Sequence, residues 1–594
     1  MKINNYFLIV LFVLLSCQAG YSQVAGSNKE IIFRAMQDEL NRSLDKLDHP
    51  EAGKPFFISF YYSMGSYLSS KATLGALISS SSTPLASTSY RLMMGSYDFN
   101  DENFEEEIDY EPVYHRNTSP PLDADYMGIR RVFWNMANDS YRTASKNYLA
   151  KKAYFTKNPW LKPAFPDYLK QEAVSINIED AVLLPTASQA DSLTRVLSYI
   201  FSKYDKISTS SVSFSMINSN IYVLNSEGSR IKIPVNISDV QISATVMNSN
   251  SESFTEAISF VTLNPMELIK NQALSQRIEK FAQYMLLLAD APKLDDIYNG
   301  PVLYTGITSA PKIMSMLFAG KEALIAERES ISNTPDYRRS ETKSNSFESK
   351  IGKRVMPQQF SVVLKPGLEN YKGVALFGKT LVDFDATVPP DELILVENGV
   401  LRDLLRNRIP SSKNVTSSNG HYRMTVTESD IMASIEPSNL FFTSSATVPA
   451  SELKSKLISL AREEGLDFAI IVRPVDEATN STSEAFYRVS LEDGSETLIQ
   501  PLIITSEGGK MINQVAGCSD REIVFNFLSN STGGYYEDYD LSYSITGSGI
   551  PCSIIMPDAM LLTGMEAESL DASVDKWLLE EVDEAGEFNQ ELPD

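Results

Sequence analysis

The chain is 594 residues long, 43% hydrophobic and 22% charged, a balance that excludes a disordered polymer and leaves room for two or three domains around a large core. Its formal net charge of −24 repels phosphate backbones and anionic lipid, so nucleic acid is not an expected partner. No stretch that interleaves basic and aromatic residues reverses that exclusion.

Lys2 precedes the apolar run from Tyr6 to Leu15, and small and polar residues follow through Gln23. A basic start, a core of roughly ten apolar residues and a polar exit describe a secretory signal over residues 1–22, too short to span a bilayer. Leu14-Leu15-Ser16-Cys17 fits a lipobox that would leave Cys17 as a lipidation site; Ala19-Gly-Tyr-Ser22 fits ordinary cleavage. Both readings stay open, and with them a lipid anchor or a free form in the periplasm or at the cell surface. In an exported chain, Cys518 and Cys552 can either pair in a disulfide or serve as two small buried hydrophobes.

Further along, Ser27-Asn28 caps a helix whose face carries Phe33, Met36, Leu40, Leu44 and Leu47, and Pro50 ends the run. Strands are predicted over 56–62 and 90–99, and the acidic stretch from Asp101 to Glu111 reads as a solvated loop. Helical spacing recurs over 123–154 and 188–204. The second stripe (Leu193, Val196, Leu197, Ile200, Phe201, Tyr204) suits packing on an antiparallel sheet over 212–246, turned at Ser226 to Ser229. A helix over 267–289 follows, and the polar stretch 327–353 reads as a mobile connection. Beyond it strands dominate, at 360–364, 393–396, 401–405 and 468–472, with a hairpin at Glu397-Asn398-Gly399 and one helix over 451–464. The fold class is therefore α+β, with a mixed part over 27–290, a segment 291–356, a part over 357–564 dominated by antiparallel sheet, and an acidic tail over 565–594.

The three histidines, His49, His115 and His421, stand far apart, so no paired-histidine metal motif exists. His49 reads as a cap before Pro50, and His115 and His421 as exposed loop residues. No Gly-x-Ser-x-Gly elbow occurs, and neither late cysteine has a neighbouring histidine. Asp383 and Asp385 could share a proton on one strand face, although close carboxylates also arise by chance in so acidic a chain.

From Tyr222-Val-Leu-Asn-Ser-Glu-Gly228 onward the sequence resembles the TldD/PmbA family of metallopeptidases and their partner subunits. Gly300-Pro-Val-Leu303, Phe347 to Pro357 with Phe360 to Leu364, Leu395-Val-Glu-Asn-Gly-Val-Leu401, Ser418-Asn-Gly-His-Tyr-Arg423 and Gly547 to Ser553 continue the likeness in order. Ala35 to Ser43 is similar to exported members. The resemblance implies that 27–290 and 357–564 are the family's two parts, with the zinc helix and a linker in 291–356. In active members that helix reads His-Glu-x-x-x-His, and a cysteine near the C-terminus is the third ligand. Here those positions align with Ser315, Met316 and Gly320 (or, one residue earlier, Met314, Ser315 and Ala319), and the third with Tyr543.

Zinc needs about three N, S or O donors at roughly 2.0–2.3 Å, which this set does not supply, so no cofactor is expected although the family implies zinc. The resemblance implies a non-catalytic, PmbA-type subunit that forms a homo- or heterodimer with a TldD-like partner around a peptide-binding chamber. An exported structural or binding homodimer without peptide handling is the alternative, and proteolysis through Asp383 and Asp385 a third.

Overall fold

The computed structural model of the chain describes residues 28–105, 120–248, 252–328, 330–332, 347–480, 483–505, 508–529 and 549–570. It is α+β, as the element pattern predicts. The first part rests on a six-stranded sheet of order β2-β1-β5-β6-β4, with β7 also paired to β6. β1 (Pro55–Thr73) and β2 (Ala76–Met94) form one long hairpin, closed where Leu74 and Gly75 take φ of 48° and 84°, as a two-residue primed turn requires.

The strands predicted over 56–62 and 90–99 are only the ends of this hairpin. Its middle gives no apolar alternation because Ser79 to Thr83 of β2 is exposed on both faces. The second strand also stops earlier than predicted, at Met94, where Gly95 (φ 99°) turns the chain and pairs with Asn100. β3 is Phe104–Glu105, β4 is Ser175–Asn177, and β5 (Ile207–Asn225) with β6 (Arg230–Met247) forms the second long hairpin, turned at the predicted residues; β7 (Ser253–Thr262) follows.

Alternation along these strands divides the sheet cleanly. Even-numbered residues of β1, β5 and β6 face four helices. α1 (28–46) and α2 (Tyr126–Lys157) cover one end, where Met36, Leu40, Phe133 and Met136 meet Phe60, Tyr62 and Leu224. α3 (Ala187–Tyr199) and α5 (Ala273–Ala289) cover the other, where Leu197, Phe281 and Met285 meet Phe214, Val240 and Ile242. Odd-numbered Tyr61, Ile221, Val223 and Ile231 face the opposite way, onto Val382, Phe384, Val426 and Ile431 from the second part.

Several expectations need correction. The helix predicted over 267–289 is two helices, α4 (Pro265–Lys270) and α5, because the Asn271 side chain accepts the Ala273 N–H and ends the first. Val196 of the α3 stripe is exposed. Asp101 and Glu102 are buried rather than solvated: Asp101 accepts the Met94 N–H at 2.6 Å and Glu102 pairs with Arg91. Residues 106–111 of that acidic stretch lie outside the described residues. The described pieces of 327–353 are docked, since Arg328 pairs with Asp167 at 2.6 Å and β9 (Ile331–Ser332) pairs with β3. The strand predicted over 401–405 ends at Leu401, because the Arg402 and Asp403 N–H groups both turn to the Leu395 carbonyl.

The second part has two larger sheets. In one, Phe360–Leu364 (β10) sits between Leu393–Glu397 and Asn439–Ser444, which continues to Ile550–Pro557 and Glu522–Ser529. In the other, β8 (Tyr298–Thr305) is central, antiparallel to Ala559–Ser569 and parallel to Phe468–Pro474. The chain passes from one sheet to the other at Asp558. Their inner faces and α6 (Ser309–Phe318) share the largest core, while α7 (Ala450–Glu463) seals the outer face with Leu453, Leu457 and Ala461.

Candidate functional site

The helix that the family resemblance aligns with the zinc helix is α6, reached from β8 through one 3-10 turn, Gly306–Thr308. Ile313, Met314, Leu317 and Phe318 are buried in the largest core, and so is Met316 at 5% exposure; Ser315 is 9% exposed. Those apolar residues pack the core rather than line a groove. The Ala319 N–H closes the last turn on the Ser315 carbonyl, and Gly320, at φ 69°, already belongs to the next 3-10 turn, so it does not share a helix face with Ser315.

A thioether, a neutral hydroxyl and a glycine in apolar packing do not fit a zinc ion, which takes thiolate, imidazole or carboxylate donors. Tyr543, Cys17 and His115 lie outside the described residues.

His49 accepts the Glu51 and Ala52 N–H groups on Nδ1, capping the turn after α1 rather than the helix itself. His421 is not an exposed loop residue. It is fully buried, its Nδ1 facing the Asn419 carbonyl at 2.8 Å and its Nε2 facing Ser438 Oγ at 3.2 Å. Burial pushes its pKa down to about 3, so the ring is neutral. Cys552 lies nearby, its thiol donating to the Pro437 carbonyl at 3.1 Å and accepting from Arg423 at 3.3 Å, and burial pushes it up to about 12.

A neutral imidazole and an un-ionised thiol bound to separate partners do not make a nucleophile and base. Cys518, also pushed up to about 12 by burial, and Cys552 are both free, on strands of different sheets, and no disulfide joins them.

Asp383 and Asp385 lie in a turn, not on a strand, and anchor rather than react. Asp383 accepts the Thr387 and Tyr422 N–H groups, and burial beside Asp385 holds it well above the carboxylate range. Asp385 accepts from Arg91 at 2.8 Å, Tyr168 at 3.2 Å and the Arg408 N–H at 3.2 Å. Arg91 and Arg408 flank the Tyr168 ring, with their guanidinium carbons 4.5 and 4.2 Å from its centroid.

Arg408 then reaches Glu227, inside the Asn225-Ser-Glu-Gly228 stretch, at 2.7 Å. That stretch is an anchor too: Asn225 Oδ1 accepts the Glu227 and Ser229 N–H groups, and Ser226 Oγ accepts from Ile58. Sequence reasoning missed Arg91, Tyr168 and Arg408; the one signal was a charge amid apolar neighbours, as at Tyr90-Arg91-Leu92.

An open cleft of about 570 Å³ lies at the end of β8, lined by Thr305, Gly306, Lys372, Arg473, Arg521 and Glu522. Its three cations are already paired, with Glu522, Glu496 and Asp558.

Fold and site together define a two-part α+β protein whose second part is built like a metallopeptidase domain. Residues 328–562 match the family model of the PmbA/TldA metallopeptidase C-terminal domain, and this part of the chain belongs to the TldD/PmbA family. Three solved structures share the fold at a TM-score of 0.52 each. TldE from Thermococcus kodakarensis is 10% identical, with 90% of this chain and 100% of that chain covered. A proposed DNA gyrase modulator from Bacteroides thetaiotaomicron is 12% identical (92% and 99% covered), and one from Thermotoga maritima 11% identical (86% and 96%). At such identities the likeness is one of fold. No curated protein matches the sequence.

Proposed function

We propose that the chain is an exported, non-hydrolytic TldD/PmbA-like subunit that shapes a peptide-binding chamber with a metal-bearing partner. The observation that carries this reading is α6: at the zinc positions it has Ser315 and Met316, both packed in the core, and then ends before Gly320. The family supplies the peptide chemistry, and the fold shared with TldE supports a paired subunit. Export rests on the basic and apolar start of the chain. Extended peptide would be held by strand addition at a sheet edge, while metal, base and water come from the partner.

Metal content and peptidase activity of the purified chain, alone and with a TldD-like homologue, test the reading. Zinc-free, inactive protein that co-purifies with the homologue is expected. Stoichiometric zinc in the isolated chain, lost with turnover on chelation, would overturn it. A clean homodimer inert toward peptides would favour a purely structural role.

A further inference from the structure

A group of unpaired polar side chains gathers beside α6, apart from the degenerate zinc positions. Glu256 lies on β7, and the Ser483 hydroxyl donates to the carbonyl of Ala257, which brings Glu484 alongside it. Tyr304, from β8, is fully buried and its hydroxyl has no hydrogen-bond partner; the Lys312 ammonium of α6 stands 5.3 Å from its ring centroid. Tyr284, from α5, lies near enough to Glu256 to feel its charge. Among the described residues Glu256, Glu484 and Lys312 make no hydrogen bond or ion pair through their side chains, and all three keep partial exposure.

Charges held unpaired inside a protein are costly unless water or a ligand solvates them. Burial pushes Glu256 up to about 7, with the Glu484 charge adding to the effect; burial also raises Glu484, against the pull of Lys312. Burial raises both phenols, with the Glu484 charge adding to the effect at Tyr304 and the Glu256 charge at Tyr284. Once both carboxylates are ionised, as a bound cation favours, they leave a single negative charge beyond that matched by Lys312.

We propose that Glu256 and Glu484 form a site for a protonated primary amine, the amino terminus or a lysine side chain of a peptide, with Tyr304 and Tyr284 beside it. A monovalent ammonium balances the charge, donates to both carboxylates and meets aromatic faces that favour cations. The Tyr304 hydroxyl is left to bind a polar atom next to the amine. This deepens the proposed function and rests on its claim that the chain binds peptide.

Calorimetric titration of the mature chain with trialanine amide and with N-acetyl-trialanine amide tests it. The free amine is expected to bind at least tenfold more tightly, and Glu256→Gln or Glu484→Gln to bring the two peptides within twofold. Both variants keep the side-chain shape and remove a buried charge, so circular dichroism should show them folded. Equal affinity for the two peptides in the parent chain overturns the amine site and leaves peptide binding standing. Failure of both to bind overturns the site and the peptide reading together.

Discussion

Cys552 and His421 flank the Pro437-Ser438 turn, a pair of residue types that invites a catalytic reading, yet each is held neutral by burial. Two measurements follow. Mature protein should leave Cys518 and Cys552 unmodified by a thiol reagent at pH 8 while folded, and react at both after unfolding, because thiolate is the reactive form. Fast labelling of folded protein would contradict the burial.

The second concerns acid. The folded pKa of His421, about 3, lies below its ordinary value of 6.5, so between them the unfolded chain binds the extra proton and stability falls as pH falls. Glu256 and Asp239, both raised to about 7 by burial, act oppositely: they lose stability as pH rises from the ordinary carboxylate range toward 7. Comparison with His421→Gln isolates the first effect. The stability advantage of the parent over this variant should shrink by up to about 1.4 kcal/mol per pH unit below 6.5, read by urea unfolding at pH 7, 6 and 5. A pH-independent difference would mean that the ring takes up its proton in the folded state as readily as in the unfolded chain.

On the proposed reading, α6 keeps its place in the fold without the family's metal chemistry. Grafting the family's histidines back, as Ser315→His with Gly320→His, should not restore a zinc site. The first imidazole enters a packed core, where overfilling costs about 1–3 kcal/mol, and the second sits beyond the helix end at a positive φ that favours glycine. The double variant should melt below the parent and carry no stoichiometric zinc after dialysis; retained zinc would show that the helix runs on through Gly320 and brings the two positions together.

The lack of imidazoles in α6 was legible because it can be read off the residues themselves. Helices α1, α2, α3 and α7 were legible through their apolar spacing, and the β5–β6 hairpin through its turn. The β1–β2 hairpin was not, since the doubly exposed serines of β2 carry no periodicity. Nor was the burial of His421, Asp383 and Asp385, which depends on partners as distant in sequence as Arg91 and Ser438. The amine-site group was hidden for the same reason: β7, β8, α5 and α6 each bring only one of Glu256, Tyr304, Tyr284 and Lys312.

The two parts of the molecule meet across a buried ionic network as well as across apolar surface. Arg408 spans the junction, donating to the Leu169 carbonyl at 2.6 Å and to Glu227 at 2.7 Å, while Arg91 reaches from β2 to Asp385. Lys151 and Arg328 meet on Asp167 in a second knot. Such groups are expensive to bury but far more expensive to orphan: removing one partner of a buried pair typically costs about 3–5 kcal/mol, whereas replacing both with apolar groups can be nearly neutral. Arg408→Met alone should therefore destabilise strongly, since it leaves Glu227 with only Tyr97 and the Gln171 N–H. Adding Glu227→Gln should recover part of the loss, giving a coupling energy of about 1–3 kcal/mol in a double-mutant cycle. Because the network joins the parts, its failure should also show as lost cooperativity. Scanning calorimetry of Arg408→Met is expected to split one transition into two as the sheet holding β1 and the sheets holding β8 and β10 melt separately. A single transition at the parent's Tm would mean that the apolar contacts of Tyr61, Ile221 and Val223 with Phe384 and Val426 couple the parts unaided.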